Sequence, residues 1–96
     1  MPPRRRMAAL KSIPIAGTWV YNSERLNSKA IIRSNGTFTW ENSYFDREIS
    51  NGTWSFTTEV NGTWFILFDF GDGSYYNEVI YYEGSIYLLD CKHTRQ

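Results

Sequence analysis

The sequence predicts an all-β domain: an up-and-down antiparallel meander closing into a small barrel of about eight strands. Three observations carry this. Helical periodicity is absent beyond residue 16. Runs of β-branched and aromatic residues, four to nine long, recur between turn signals. The turn signals are Asn35-Gly36, Asn61-Gly62, Asp72-Gly73 and Glu83-Gly84, which supply the left-handed backbone positions that tight hairpins require.

Taken in order, the first strand is expected at 17–22 (Gly-Thr-Trp-Val-Tyr-Asn) and the second at 29–34, ended by Asn35-Gly36. A Thr-aromatic alternation follows at 37–42, and 42–48 reads as a loop for want of any strand pattern. Short strands at 47–50 and 53–58 flank Asn51-Gly52, either a further turn or a bulge within one longer strand. The alternating runs 63–70, 74–82 and 85–91 complete the meander. Asn35, Asn51 and Asn61 each begin Asn-Gly-Thr, a glycosylation acceptor in a secreted eukaryotic chain; hairpin chemistry is the simpler reading.

Ninety-six residues with 18% aromatic content make one domain that relies on large side chains to build its core. Residues 15–96 are assigned to it and 1–14 to a basic leader. Arg4, Arg5, Arg6 and Lys11 give residues 1–11 a charge of +4, so the remainder carries −4. An acidic body repels phosphate, which argues against nucleic acid. The leader is read as a solvated tail: residues 1–10 contribute little to folding, and deleting residues 1–6 is expected to leave it intact. Lys11 and Pro14 break its apolar stretch before an export signal forms, and no stretch has the length of a membrane span. Met7 is an alternative initiator to Met1, a matter for the coding DNA. A lone cysteine demands no oxidising compartment, and a cytoplasmic location is expected.

Little here suggests chemistry. Cys91 and His93 make Cys-x-His near a terminus where fraying is expected, and two ligands do not complete a zinc site. Asp69, Asp72, Glu78 and Asp90 are the carboxylates nearest the meander, but Gly71-Asp72-Gly73 reads as a turn rather than a calcium loop. No phosphate loop or nucleophile elbow is present. The aromatic strands 63–70, 74–82 and 85–90 contain no Lys or Arg, so a base-stacking platform lacks its phosphate contacts. A non-enzymatic protein without cofactor or metal is expected.

Gly17-Thr18-Trp19, the apolar run Ile31-Ile32 ending in Asn35-Gly36-Thr37-Phe38, and the repeated Gly52-Thr53-Trp54-Ser55 resemble the small lipocalin-like domains of the calycin group. The resemblance spans roughly 15–91. It implies an up-and-down barrel of the kind that often binds small apolar ligands, with Trp19, Trp54, Trp64, Phe68, Asn77 and Tyr81 as pocket residues.

Register separates the two faces, because a slip of one residue turns a strand over. A two-residue turn at Asp72-Gly73 places Phe70 opposite Tyr75, Phe68 opposite Asn77 and Ile66 opposite Val79. A three-residue turn would drive Glu78 into the core beside Ile66, a costly burial. Carried across Glu83-Gly84, the register pairs Tyr82 with Ser85, Ile80 with Tyr87 and Glu78 with Leu89. Phe65, Leu67, Tyr76, Ile80, Tyr82, Tyr87 and Leu89 then form a contiguous outer apolar patch, unusual on a soluble monomer. Either residues 7–15 cover it or it binds a protein partner or second copy. A small interaction protein, such as a phage-borne inhibitor or an immunity-type partner, is the expected function, with a carrier of a small apolar ligand as the alternative. Inward Trp19, Trp54, Phe56, Trp64 and Phe68 would fill much of so small a barrel. On this reading, replacing Tyr76 and Tyr87 by Ser abolishes association and spares the fold.

Overall fold

Eight antiparallel strands follow one another in chain order around a closed barrel in the computed structural model, which describes residues 15–43 and 49–96. They are β1 (Gly17–Asn22), β2 (Asn27–Ile32), β3 (Thr37–Asn42), β4 (Ile49–Val60), β5 (Thr63–Asp69), β6 (Tyr75–Tyr82), β7 (Ser85–Leu88) and β8 (Cys91–Arg95). β8 closes the barrel on β1 through Trp19↔Arg95 and Val20↔Thr94. The leader and residues 44–48 lie outside the described residues, as do the readings that fall on them.

The up-and-down barrel stands as expected, but three of the expected strands differ in membership. The described part of the segment read as 47–50, residues 49–50, belongs with 53–58 to one strand, β4, and 85–91 divides into β7 and β8. Asn51-Gly52 is neither turn nor bulge: Gly52 sits in mid-strand opposite Phe38, where a side chain would overlap the Asp69 carbonyl oxygen and crowd the Phe38 ring. Its glycine serves close packing, not a turn. The β7–β8 turn escapes a search for glycine because Leu89 (φ 53°) and Asp90 (φ 60°) both adopt the left-handed conformation. The second strand also ends earlier than expected: the Arg33 N–H donates to the Thr37 carbonyl and the Gly36 N–H to the Arg33 carbonyl, which places residues 33–36 in the turn.

The β5–β6 hairpin resolves the question of Glu78 by an unexpected route. The Phe70 N–H donates to the Ser74 carbonyl, so Gly71-Asp72-Gly73 form a three-residue loop and not a two-residue turn. Asp69 then faces Tyr75 and Phe68 faces Tyr76, but one step on Ile66 faces Val79. The shift is a bulge in which Asn77 and Glu78 together oppose Leu67. It turns the strand back in phase, leaving Val79 buried and Glu78 exposed. Avoiding a buried carboxylate thus decides the outcome, through the bulge and not through the turn.

The inner face is packed with rings. Phe38 stacks on Phe68 at 4.0 Å between centroids, Trp40 meets Phe68 edge-on at 5.8 Å, and Trp19 meets Tyr81 at 6.2 Å. Phe38, Trp40, Phe68 and Trp19 are all buried, together with Ile32, Ile66, Val79, Ile86 and Leu88. Beyond them, Trp54, Phe56 and Trp64 form a half-buried edge-to-face ladder on β4 and β5. The Arg95 guanidinium lies 4.3 Å over the Trp19 ring and donates to the Ala16 carbonyl at 2.6 Å.

Candidate functional site

Alternation along three neighbouring strands builds one outer face. Phe65 on β5 pairs with Ile80 on β6, which pairs with Tyr87 on β7, and Lys92 of β8 ends the row. Phe65, Ile80 and Tyr87 are half-buried and, with Asn77, Glu78 and Asp90, line an open groove of about 330 Å³. Leu67 lies half-buried on this face, opposite the bulge. Tyr82 stands beyond the row at 41% exposure, where a hydrogen bond and the charge of Glu83 raise its phenol pKa.

Two residues expected on this face point the other way. The loop and bulge turn Tyr76 inward, where its ring lies 5.3 Å from Trp40 and its hydroxyl accepts the Leu89 N–H at 3.0 Å. Burial raises its pKa; the Leu89 N–H opposes this, and the nearby charges of Glu78 and Asp90 add to it. Leu89 is not paired with Glu78 but occupies the β7–β8 turn and packs against the core. Tyr76→Phe should cost about 1 kcal/mol in chemical denaturation, the worth of one part-buried hydrogen bond. Replacement of Tyr76 by Ser would disturb the core and is no test of association.

The six residues expected to line an internal pocket are not all brought to the interior. Trp19 and Phe68 are fully buried in ring contacts, and Trp54, Trp64 and Tyr81 are half-buried. Asn77 is exposed on the outer face, displaced from the interior by the bulge that also carries Glu78. A separate polar cleft of about 520 Å³ opens beside β2 and β3, between Lys29, Glu41 and the asparagines 22, 27 and 42. Ser43 and Ile49, which bound the undescribed 44–48 segment, form part of its rim.

The arrangement that sequence reasoning missed lies inside the barrel. His93 is not frayed: it sits on β8 opposite Ile86, fully buried. Its Nε2 lies 2.6 Å from the Ser28 hydroxyl and its Nδ1 lies 2.8 Å from the Cys91 carbonyl. The Trp40 indole N–H donates to the same hydroxyl at 2.9 Å. Chemistry assigns the protons. A carbonyl only accepts, so Nδ1 carries the hydrogen; neutral Nε2 then accepts from Ser28, which accepts from Trp40. Burial lowers the His93 pKa, partly offset by the Cys91 carbonyl. A serine and histidine at this distance have the geometry of a nucleophile and base. Ser28, 3% exposed, is among the residues that line the polar cleft beside β2 and β3, while His93 is fully buried, and their contact ties β2 to β8. The separation of 65 positions between them, and the polar sequence of β8 around His93, gave hydrophobic patterning nothing to find.

No family model, curated protein or solved structure matches the chain. Its architecture is that of a small eight-stranded antiparallel barrel, consistent with the calycin-like shape. Among the described residues, no three His, Cys, Asp or Glu side chains gather to hold a metal.

Proposed function

We propose that this protein is a non-enzymatic interaction module that docks a protein partner on the outer face of β5, β6 and β7. The observation that carries the reading is the groove floored by Phe65, Ile80 and Tyr87, three apolar side chains in one row across three strands. Aromatic side chains of this kind serve as anchors in protein interfaces. The lipocalin resemblance would make the barrel a carrier, but the rings of Trp19, Phe38, Trp40 and Phe68 occupy its interior, which supports docking outside.

The double variant Ile80→Ser, Tyr87→Ser tests this. Both side chains leave the core untouched, so far-UV and near-UV circular dichroism should match the parent. Capture of a protein partner from source-cell extract, identified by mass spectrometry and measured as an affinity, should weaken by about thirtyfold, the worth of one interface hot spot. Undiminished capture by the variant, or a small apolar molecule retained by the parent in native mass spectrometry, would overturn the docking reading.

A further inference from the structure

We infer that the β5–β7 groove accepts a cationic side chain, arginine or lysine, from an extended segment of its protein partner, a deepening that rests on the docking reading above. Glu78 and Asp90 line the groove beside an apolar floor that includes the rings of Phe65 and Tyr87. A cation above such rings gains from their electron-rich faces, and a guanidinium stacks flat while its edge reaches a carboxylate. Both carboxylates belong to the same groove, Glu78 from the bulge of β6 and Asp90 from the β7–β8 turn. Neither makes an ion pair among the described residues.

Charge selects the occupant. Residues 63–90 contain Asp69, Asp72, Glu78, Glu83 and Asp90 and no lysine or arginine, so three adjoining strands and their turns present one sign. Lys92, next to Tyr87 in register, is the first base on that side. Two copies meeting through this face would bring one acidic surface against another, and like charges across an interface disfavour that pairing. A phosphate backbone is repelled in the same way. A basic partner is attracted. The bulge contributes directly, because it is what places Glu78 and Asn77 together on the outside.

The test is selection of short random peptides displayed on phage against the full-length chain, followed by affinities of the synthesised winners by fluorescence anisotropy. The comparison protein is Glu78→Gln, Asp90→Asn. Glutamine keeps the shape of glutamate, and asparagine tolerates the left-handed backbone at position 90. Winners should be enriched in arginine or lysine flanked by apolar residues. They should lose about tenfold in affinity or more to the charge-neutral variant, and weaken with rising salt. Winners without basic residues, lost to Ile80→Ser, Tyr87→Ser but not to the neutral variant, would overturn the cation inference and leave docking standing. Self-association of the chain abolished by the neutral variant would name a second copy as the occupant and overturn it too. If nothing is selected that Ile80→Ser, Tyr87→Ser fails to bind, both readings fall.

Discussion

Gly52→Ala is expected to destabilise the barrel by about 3 kcal/mol or more, lowering the melting temperature by at least about 12 °C for a domain of this size. The obstacle is not conformational, since Gly52 is extended. A Cβ would overlap the Asp69 carbonyl oxygen and press on the Phe38 ring at 2.9 Å. Phe38 cannot give way, because it is stacked on Phe68 and meets Phe70 edge-on at 5.7 Å. The carbonyl belongs to the β5 backbone where β4 pairs with it, at Thr53↔Asp69, so moving it breaks the ladder. Gly62 supplies the contrast: it has open space around its α-carbon and φ of +85°. Gly62→Asn, suited to that backbone, should cost less than about 1 kcal/mol. Urea denaturation of the two variants decides the matter, and equal losses would show that Gly52 is not a packing glycine.

The second large effect concerns acid. His93 is buried neutral with its pKa below the ordinary imidazole value, whereas in the unfolded chain it titrates near about 6.5. The unfolded state therefore binds the extra proton between these two values. Stability is fully present above the unfolded pKa and falls as pH drops below it, by up to about 1.4 kcal/mol per pH unit, until the folded pKa is reached. Structurally, a protonated Nε2 would aim a hydrogen at Ser28, whose hydroxyl already receives the Trp40 indole N–H. Its own proton would then lose its acceptor. Urea midpoints measured from about pH 7.5 to 5.5, above the ordinary carboxylate range, should fall accordingly. His93→Phe should flatten that slope while costing about 1–3 kcal/mol at neutral pH, where Ser28 and the Cys91 carbonyl lose their partner. A flat profile in the parent would show that His93 can be charged in place.

What the sequence reveals follows from what each signal encodes. Asn61-Gly62 and Glu83-Gly84 form the expected two-residue turns because both positions of each have positive φ, a demand that glycine makes visible. From the second of these the pairing Ile80↔Tyr87 follows, and with it the middle of the outer face. Gly52 carries the same dipeptide signal as Gly62, yet its reason is a contact with β3 and β5 that no local window contains. Leu89-Asp90 is a turn without glycine, held by the Tyr76 hydroxyl from another strand and by core packing. Tyr76 and Asn77 exchanged faces because the loop is one residue longer than expected and the bulge repairs the phase only afterwards. In each case a tertiary contact overrides a local preference.

The seam between β1 and β8 also bears on how the chain reaches this state. Seven of the strand junctions join segments adjacent in sequence, and the eighth brings Trp19 against Arg95, 76 residues away. Hairpins close over short loops and form quickly, whereas that last junction requires nearly the whole chain to be ordered before two residue pairs and the buried His93 reward it. The entropic barrier to folding is thereby concentrated in the closure of an otherwise open, eight-stranded sheet.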